Sequence, residues 1–550
     1  MVRRPLVTFQ FGSRTLRAPA DVPLTAAVVS RPWAPLGRSI RYHRPRAPFC
    51  GIGACTQCLV RVNGQPNVRG CQYVPSDGDR IETENAWPSV RWDVARALDL
   101  VFPHGVDTLR GFGRPLWARR LYQWVVRRLA GYGRPPARAN APARPAARSI
   151  ATRVAIVGAG KAGMACARRL AALGVDDVSL IDSDRVVDRF PGTEVFARTR
   201  VVFLEPPDTP GGPFVLYADG PDGGIRLDAA RVVIATGSYD ANLWFADNDR
   251  PGVVTLAGAL SVTPPDGHPP FHRALVVGDG ARAKEAIDRF GASVAAVVAP
   301  GAISPEVVRA ASDHGIDLYP RSLVVAARGF RRVRAVDLVR RGDGSPFRLA
   351  GDAVILAHRR LPNHPLLFQG GAKMRYGGPA GSYFPVLAPG GETSVSGLYA
   401  AGSVAGFADS EASGTAVAEA IGGGSAPALP PVPWDGVSGW EGYYRELLAR
   451  PRSRAKWVAC ACEDVLLDEL EAAHARGYRG IEVVKRYTGL GTGLCQGRYC
   501  VPEALLVLAG WEERRPEEVG YLTQRPPVFP TPLATWVGFS SAGSADRKAT

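Results

Sequence analysis

Short apolar runs separated by glycine and polar residues recur through the middle of this chain. Residues 154–157, 178–181, 232–235 and 274–277 each form such a run, and each is bounded by turn-forming residues, which predicts buried β-strands. A helix-like segment lies between the first two runs, as a strand–helix–strand unit requires. The apolar pattern therefore predicts parallel α/β structure in the middle of the chain.

The two ends of the chain show different patterns. Residues 59–62 form a strand-like run that leads into Asn63-Gly64, a dipeptide typical of hairpin turns. Toward the other end, residues 463–474 and 480–486 have helical patterns. Residues 133–148 are rich in Pro, Ala and Arg and have nothing to bury, which indicates a linker that ends a domain. The length of 550 residues predicts roughly three or four domains.

Composition excludes several classes of protein. Hydrophobic residues make up 46% and charged residues 21%, close to globular averages, and no run approaches the roughly 18 apolar residues of a membrane span. No apolar segment follows the basic start, so we expect a cytoplasmic protein, for which a partner is the one route to peripheral membrane association. The formal charge of +16 invites a nucleic-acid interpretation. However, only six of the 67 basic residues are Lys, and the excess Arg accompanies abundant Ala, Gly and Pro, so coding bias explains it better and we expect no nucleic-acid binding.

The nine cysteines fall into two groups of four and one single residue, and we call the groups the first and the second quartet. The first quartet is Cys50, Cys55, Cys58 and Cys71, which opens with the C-x4-C-x2-C spacing of plant-type ferredoxins. Glycines in its loop allow tight wrapping, so backbone N–H groups can point at cluster sulfurs. A structural zinc site usually repeats C-x2-C pairs and is the alternative, but only one such pair exists here.

The second quartet is Cys460, Cys462, Cys495 and Cys500, spaced C-x-C and C-x4-C. Glycines precede Cys495 and again favour close backbone approach to a cluster, and Arg498 is placed to balance its negative charge. Zinc stays open as the alternative ligand here. The ninth cysteine, Cys166, lies in a helix-like segment and is interpreted as an ordinary small core residue.

A glycine motif follows the first strand of the α/β region. Gly158, Gly160 and Gly163 form G-x-G-x-x-G between strand and helix, and Asp182 ends the next strand, where it can hold a ribose hydroxyl. Two later strands end in small-residue turns, one at Thr236 and Gly237 and the other at Gly402 and Ser403. Together these residues predict a dinucleotide site.

A second glycine motif opens at Gly278, after the run 274–277, and predicts a second Rossmann-like unit. The following apolar run ends at Ala299-Pro300 and offers no carboxylate for a ribose, so NAD binding is doubtful. Two interpretations stay open for this unit: a degenerate structural Rossmann fold, or a site for a second adenine nucleotide.

The order of these modules resembles the α subunits of heteromeric amine and amino-acid dehydrogenases. These include hydrogen cyanide synthase, the opine oxidases, dye-linked proline or hydroxyproline dehydrogenase, and heterotetrameric sarcosine oxidase. The resemblance runs from about Val7 to about Leu508 and includes Arg44-Pro-Arg46 and a connecting segment at 111–133. It implies FAD at the first glycine motif and a [2Fe-2S] cluster on each quartet.

The resemblance also implies a multidomain α/β fold: an N-terminal β-grasp ferredoxin-like domain, a Rossmann-like core with two dinucleotide-binding domains, and a small helical C-terminal [2Fe-2S] domain similar to bacterioferritin-associated ferredoxin. The predicted bounds are 1–90 for the ferredoxin-like domain, 91–150 for the connecting segment and linker, 151–270 with 351–425 for the FAD-binding domain, 271–350 for the inserted NAD-like domain, 426–455 for a linker, 456–510 for the C-terminal cluster domain and 511–550 for a tail.

The chain departs from this family in three places. About 40 residues follow Gly510, too few for the folate-binding domain of sarcosine oxidase α. Ser403 stands where such flavoproteins usually carry an acid. The segment after Asp182 is short, so FAD is expected to be weakly held, unusually posed or replaced by an adenine nucleotide.

Function follows from what the sequence contains and lacks. An amine-oxidising site needs a flavin that faces a substrate-positioning group, and no such set of residues can be assembled from this sequence. His358 and His364 are interpreted as loop residues. The catalytic residues therefore stay unassigned. We therefore expect an electron-transferring subunit of an FAD-dependent dehydrogenase that acts on CH–NH or CH–NH2 donors. A small amino-acid-oxidase-like β subunit would oxidise the substrate, and the sequence does not identify the acceptor. The alternatives are an NAD(P)H-dependent flavin and iron–sulfur reductase, or a scaffold with empty Rossmann units.

Overall fold

The computed structural model describes residues 4–28, 33–105, 115–121, 146–183, 189–264, 267–377, 381–424, 440, 442–451 and 455–546. The predicted linkers at 133–148 and 426–455, and the connecting segment at 111–133, lie for the most part outside these residues. The chain divides into two units. The first unit comprises Met1–Asn140, Asp240–Arg359 and Gly436–Leu522, and the second comprises Ala141–Tyr239, Arg360–Asp435 and Thr523–Thr550.

The strands, in chain order, are β1 (Leu6–Phe11), β2 (Arg14–Pro19), β3 (Gly37–Arg38), β4 (Pro45–Arg46), β5 (Leu59–Val62), β6 (Gln65–Arg69), β7 (Arg80–Thr83), β8 (Arg148–Val157), β9 (Val178–Ile181), β10 (Thr193–Phe196), β11 (Arg200–Glu205), β12 (Phe214–Gly220), β13 (Gly223–Ile234), β14 (Ser238–Asp240), β15 (Val253–Thr255), β16 (Ala274–Val277), β17 (Val294–Val298), β18 (Asp317–Tyr319), β19 (Ser322–Arg328), β20 (Ala335–Arg340), β21 (Pro346–Ala350), β22 (Ala353–Leu356), β23 (Arg360–Pro362), β24 (Met374–Gly377), β25 (Ser382–Pro385), β26 (Leu398–Ala400), β27 (Val458–Cys460) and β28 (Val465–Leu466).

The α-helices are α1 (Leu24–Val28), α2 (Ala97–Val101), α3 (Lys161–Ala172), α4 (Leu256–Ser261), α5 (Gly280–Phe290), α6 (Pro305–His314), α7 (Pro365–Gln369), α8 (Ser410–Ile421), α9 (Tyr443–Leu448), α10 (Leu467–Ala475), α11 (Ile481–Thr488), α12 (Val501–Glu512) and α13 (Leu533–Asp546). Short 3-10 turns occur at Val94–Arg96, Gly291–Ser293, Gly402–Val404 and Pro516–Val519. No helix in the described part of the chain is both long and apolar enough to span a bilayer.

The N-terminal part of the first unit is a five-stranded sheet in the order β2-β1-β7-β5-β6. β1 and β7 are parallel, while the hairpins β1–β2 and β5–β6 are antiparallel. Phe9, Val60 and Ile81 are fully buried in its core, because the alternating side chains of these strands face the same side. The predicted ferredoxin-like domain is confirmed, and its long loop between β4 and β5 carries three cysteines of the first quartet.

The inserted part of the first unit is a parallel sheet in the order β15-β22-β16-β17-β18. The Rossmann-like fold predicted for the inserted domain is confirmed, but this domain is longer than the predicted 271–350. β15 and β22 pair with this sheet, with β22 lying between β15 and β16, so the region 240–359 forms one structural part. The predicted bounds followed the glycine motif, whereas the sheet is completed by strands that lie outside it in sequence.

The C-terminal part of the first unit is small and mostly helical, as predicted. α11 matches the helical pattern at 480–486, whereas α10 begins at Leu467 and covers only the later part of the pattern at 463–474, because Val465–Leu466 form β28. The hairpin β27–β28 precedes them and ends its first strand at Cys460. α12 begins directly after Cys500 with Pro at its first turn, a position where the missing N–H of proline costs nothing.

The second unit contains the sheet β10-β9-β8-β13-β12-β11, with β26 pairing to β13. β8, β9, β10, β13 and β26 run parallel, so their carboxyl ends meet at one edge of the sheet. Helices α3 and α8 pack on one another beside it: a Cβ on Gly414 would lie 2.0 Å from the Ala162 carbonyl oxygen. Ala167 and Leu170 are fully buried in this layer.

Residues 523–546 do not form the predicted tail but belong to the second unit. The Thr535 hydroxyl donates to Asp219 at 2.7 Å, and the Phe539 ring meets Tyr217 edge-on at 5.1 Å. Val528 donates its N–H to the Val202 carbonyl. The tail interpretation was wrong because Trp536 and Phe539 of α13 pack on Tyr217 of β12, about 300 residues earlier in the chain, and the helix also contacts β13.

Candidate cofactor sites

Four buried thiols lie together in the ferredoxin-like domain. Cys50, Cys55 and Cys58 lie in the loop before β5, Cys71 follows β6, and none is more than 3% exposed. The thiol of Cys50 is hydrogen-bonded to those of Cys55 and Cys71, and Cys71 is hydrogen-bonded to Cys58. The structure therefore brings together all four members of the first quartet.

Hydrogen bonds within the first quartet favour one thiolate. Burial opposes ionisation of Cys50, yet hydrogen bonds from Cys55, from Cys71 and from the backbone N–H groups of Ile52 and Cys55 hold the pKa of Cys50 well below its usual range. The pKa of Cys55 is raised well above its usual range, because its thiol donates to Cys50 and is buried. Thiolates are the form that binds metals, and hydrogen bonds to sulfur tune iron–sulfur clusters, so this environment fits a cluster.

The glycines of the first loop allow a close backbone approach. Gly51 has φ of +68°, and a Cβ there would lie 2.4 Å from the Ala257 carbonyl oxygen at the start of α4. Phe49 accepts hydrogen bonds at 3.1 Å from both the N–H and the hydroxyl of Thr255. The loop is thus held against residues 255–261 of the inserted domain, in the same unit, a contact that no local sequence pattern signals.

The second quartet also closes on itself. Cys460 is hydrogen-bonded to Cys462 and Cys500, and Cys495 is hydrogen-bonded to the same two thiols. Donation from Cys462 and Cys500 holds the pKa of Cys495 well below its usual range, while donation from Cys460 to Cys462, together with burial, raises the pKa of Cys460 to about 11. All four are at most 5% exposed.

Backbone groups and glycines support the second quartet. N–H groups of Tyr499 and Gly491 donate to the sulfurs of Cys495 and Cys460. A Cβ on Gly493 would lie 2.4 Å from the Cβ of Cys462, so only glycine fits that turn. The buried Arg498, predicted to balance negative charge, donates to the carbonyl of Cys495 at 3.1 Å.

The hydrogen bonds of the first quartet form a chain from Cys58 through Cys71 and Cys50 to Cys55, whereas those of the second quartet close a ring of four thiols. Across the described ranges, no three His, Cys, Asp or Glu side chains are placed to hold a single metal ion. Cys166 belongs to the second unit, where it is fully buried and burial raises its pKa to about 12.

The glycine motif of the second unit has the geometry that a dinucleotide site needs. Gly158 has φ of +108°, and a Cβ there would lie 2.4 Å from the Ala235 carbonyl oxygen. A Cβ on Gly163 would lie 1.8 Å from the Gly158 carbonyl oxygen, so strand and helix pack closely. Gly160 has nothing within 4 Å of its would-be Cβ, which leaves open space at the start of α3, where a pyrophosphate would approach.

The Asp182 carboxylate ends β9 beside this motif and accepts the N–H of Ala159 at 2.6 Å. This hydrogen bond stabilises the glycine loop. The sequence predicted a ribose contact for Asp182 but not this role. Because Asp182 lies at the edge where β8 and β9 end, a ribose held there would lie next to the glycine loop.

The other predicted residues of this site lie at the ends of β13 and β26, at the same edge. The Thr236 hydroxyl donates to the carbonyl of Asn363, and Gly237 has φ of +71°. Ser403 accepts a hydrogen bond from the Ser238 hydroxyl at 3.0 Å. Gly402 also has positive φ, and its N–H donates to the Ser413 hydroxyl. The sequence did not identify Ser238, Asn363 or Ser413 as site residues.

The inserted Rossmann-like domain, which belongs to the first unit, is less suited to a dinucleotide than the glycine motif at Gly158. Its glycine turn is tight, since a Cβ on Gly278 would lie 2.3 Å from the Ala357 carbonyl oxygen. The next residue, Asp279, precedes α5 and accepts hydrogen bonds from the N–H and hydroxyl of Ser304 at 2.9 Å. A carboxylate therefore lies where a pyrophosphate would need positive potential, and Ala299 at the end of β17 offers no ribose acceptor.

Both histidines interpreted as loop residues are buried. His358, in the first unit, is 2% exposed, and burial and the neighbouring Arg359 hold its pKa well below its usual range. Its ring lies 4.6 Å from that of Trp440. His364, in the second unit, contacts the Pro362 carbonyl at 2.9 Å through Nδ1.

A buried network of charges in the first unit was not predicted. Arg44 donates to Asp249 at 2.7 and 2.8 Å and to Asp247 at 2.8 Å. Arg46 pairs with both Asp249 and Asp464. Burial opposes the charge on Asp249, but the two arginines hold its pKa well below the usual range. The network joins the ferredoxin-like domain, the inserted domain and the C-terminal domain within this unit.

Three family models match parts of the chain. Residues 4–86 match the 2Fe-2S iron-sulfur cluster binding domain, residues 191–424 match pyridine nucleotide-disulphide oxidoreductase, and residues 454–539 match the sarcosine oxidase A3 domain. The last match covers the predicted C-terminal cluster domain and continues into the region predicted as a tail.

The α subunit of sarcosine oxidase from Rhizobium meliloti (strain 1021) is 26% identical over 96% of this chain and 57% of that relative. This chain thus spans little more than half the length of that relative. An opine oxidase subunit from Agrobacterium tumefaciens (strain Ach5) is 24% identical over 56% of this chain and 69% of its own length.

The fold as a whole matches a solved structure. L-proline dehydrogenase from P. horikoshii superimposes with a TM-score of 0.65, at 21% identity, over 97% of this chain and 98% of that one. At this identity the match shows the fold alone. With the family models, it confirms the predicted order of a ferredoxin-like domain, an FAD-binding oxidoreductase core and a C-terminal domain. The predicted resemblance is thus confirmed: the chain is similar to the α subunit of sarcosine oxidase over most of its length, and parts of it match a 2Fe-2S domain and a pyridine nucleotide-disulphide oxidoreductase domain.

Proposed function

We propose that this chain is the electron-transferring FAD and iron–sulfur α subunit of a heteromeric amine or amino-acid dehydrogenase. The observation that carries the proposal is that one chain holds two complete four-thiol groups and one well-formed dinucleotide site. The relatives named above are subunits of oxidases, which supports an assembly with a second chain.

In this proposal each quartet holds one [2Fe-2S] cluster, and the glycine motif with Asp182 holds FAD. When bound, FAD exchanges electrons in pairs, and each cluster exchanges one electron at a time. Thr236, Gly237, Gly402 and Ser403 would line the same sheet edge and contact the cofactor. Gly160 leaves the room for the pyrophosphate, and the start of α3 supplies favourable potential.

The partner would be a small FAD-dependent chain of the amino-acid oxidase type. It would remove two electrons and two protons from the C–N bond of proline, hydroxyproline, glycine or an opine and leave an imine. Three buried arginines of the first unit are paired within the chain and do not offer a carboxylate-binding site for such a substrate. Arg44 and Arg46 are paired with aspartates, and Arg359 is paired with Glu503, with side chains 4% and 1% exposed.

A reductase that draws electrons from NAD(P)H would need a nucleotide site in the region 240–359. The carboxylate of Asp279 and the side chain of Ala299 make that region a poor site, for the reasons given above. We therefore rank the reductase second. The same residues argue against a second adenine nucleotide there.

Co-expression tests the division of labour. The chain purified alone should not reduce a dye with proline, hydroxyproline, sarcosine, glycine or opines, while its complex with an amino-acid-oxidase-like partner should do so with one of them. Cys50→Ser or Cys460→Ser should slow electron passage to the dye more than the first reduction of the partner's flavin, as seen by rapid mixing. Cys166→Ser is the matched control and should leave both rates unchanged. Turnover by the isolated chain at the rate of the complex would refute the proposal.

A further inference from the structure

One small cavity inside the first unit is reached by both quartets. It is lined by Cys55 of the first quartet and by all four cysteines of the second. Phe49, which precedes Cys50, and Tyr499, which precedes Cys500, also line it, and their rings meet edge-on at 5.3 Å. The cysteine groups are therefore neighbours in space, although about 400 residues separate them in sequence.

One residue makes a direct link between the two groups. Thr56 follows Cys55 in the chain and is buried, with 8% exposure. Thr56 and Cys462 line one cavity, and the Thr56 hydroxyl donates a hydrogen bond to the sulfur of Cys462. A continuous path thus runs from Cys55 through one peptide bond and one hydrogen bond to Cys462.

The next residue is also placed between the two groups. Gln57 is 5% exposed and lines the cavity beside Cys55 and Cys462. Its Oε1 atom is buried and has no hydrogen-bond partner among the described residues. A buried polar atom without a partner costs free energy, so its persistence at this point indicates a polar environment that the protein atoms alone do not supply.

Buried charges fix the relative positions of these residues. Arg46 lines a second cavity together with Thr56 and Cys462 and pairs with Asp464, two residues beyond Cys462. Because Arg46 also pairs with Asp249, the turn that carries Cys462 is tied to the ferredoxin-like domain by charge-assisted bonds. The Thr56 contact therefore lies in a rigid setting.

We propose that Thr56 is a positioning residue that couples the two cysteine quartets. This inference rests on the proposed function, since it requires a [2Fe-2S] cluster on each quartet. With a cluster held on each quartet, Thr56 would position the two sites for direct passage of one electron, so that one cluster would be oxidised as the other is reduced, with no bond broken and no proton moved. The Thr56 hydroxyl would stabilise the more negative, reduced form of the second cluster, because a hydrogen bond to a ligand sulfur offsets added negative charge.

Redox titration of the full chain, followed by electron paramagnetic resonance, tests the assignment. Thr56→Val should lower the reduction potential of the second cluster and leave that of the first nearly unchanged, while Thr56→Ser should restore the native potential. Thr25→Val is the matched control, since Thr25 is fully buried in the same domain and its hydroxyl has no partner among the described residues. An unchanged second potential in Thr56→Val would overturn the assignment.

A second measurement needs no Thr56 variant. The spectrum of the fully reduced native chain should be broadened or split by interaction between the clusters. It should therefore differ from the sum of the spectra of Cys55→Ser and Cys495→Ser, each of which should retain one cluster. A spectrum equal to that sum would overturn the coupling while leaving the proposed function intact. Stoichiometric zinc at the second quartet would instead overturn the two-cluster assignment, and the coupling with it.

Discussion

The carboxyl group of Glu469 should make helix α10 less stable as the pH rises. Its Oε2 accepts the N–H of Leu466 at 2.8 Å, and its Oε1 contacts Arg41 at 3.2 Å. Burial raises the pKa of Glu469 to about 7, although Arg41 and the Leu466 N–H act in the opposite direction. Because the pKa in the folded state lies above the unfolded value of 4.5, the folded state binds the proton more tightly.

The sign and size of the effect follow from that difference. The stabilisation is fully present below pH 4.5 and is lost as the pH rises through about 7. At about 1.4 kcal/mol per pKa unit, a difference of about 2.5 gives a loss of about 3 kcal/mol across this window. The Glu469 side chain is 13% exposed, so screening by solvent is modest.

Hydrogen exchange of the α10 amides, corrected for the intrinsic dependence on pH, measures this loss between pH 5 and pH 8. A local measurement suits a multidomain chain, for which a single unfolding free energy is poorly defined. Glu469→Gln should make the opening free energy of α10 nearly independent of pH, since the amide can still accept the Leu466 N–H. Glu471→Gln removes a carboxylate from the same helix and should keep the native dependence. A native helix with equal protection at pH 5 and pH 8 would refute the reasoning.

Three further outcomes are expected. Gly160→Val should keep the fold and lose the flavin. Gly163→Ala should lose the flavin and also about 1–3 kcal/mol of stability, because its Cβ would meet the Gly158 carbonyl oxygen. Absorbance measures the flavin content of each variant, and thermal melting measures its stability. NADH should reduce the anaerobic protein slowly or not at all, because Ala299 cannot accept a ribose hydrogen bond, and rapid bleaching of the flavin would contradict this. Cys166 should resist alkylation in the native protein at pH 8, since burial raises its pKa to about 12, and mass spectrometry of the labelled peptide checks it.

Features that are local in sequence could be predicted, and features made by distant segments could not. The first three cysteines of the first quartet and the glycines of the motif at Gly158 are closely spaced, because each set must come together within one tight loop. Such short motifs can be recognised in the sequence itself. The pairing of Arg44 with Asp249 and of Arg46 with Asp464 joins residues separated by 205 and 418 positions. No periodicity connects such residues, and buried pairs of this kind become visible only when the domains are packed.

The bounds of the inserted domain show a related limit. The apolar run of β22 has the same pattern as a strand of the FAD-binding sheet, since any parallel strand buried on both faces is uniformly apolar. Its pairing with β16 decides which sheet it joins, and pairing is a tertiary property. The motif therefore identified the type of domain correctly but not its limits.

The inserted domain has a structural task that its glycine motif does not reveal. Thr255 holds the first loop through the carbonyl of Phe49. Asn248 donates to the carbonyl of Val458 and accepts its N–H, both at 3.0 Å, two residues before Cys460. Residues 248–255 of this domain thus hold the loops that carry both quartets within the first unit. This domain has Ala299 at the end of β17, where a ribose-binding carboxylate would lie, and still forms a complete parallel sheet. Its contacts with both cysteine quartets give that sheet a structural role, because holding two loops at a fixed separation requires rigidity and no nucleotide.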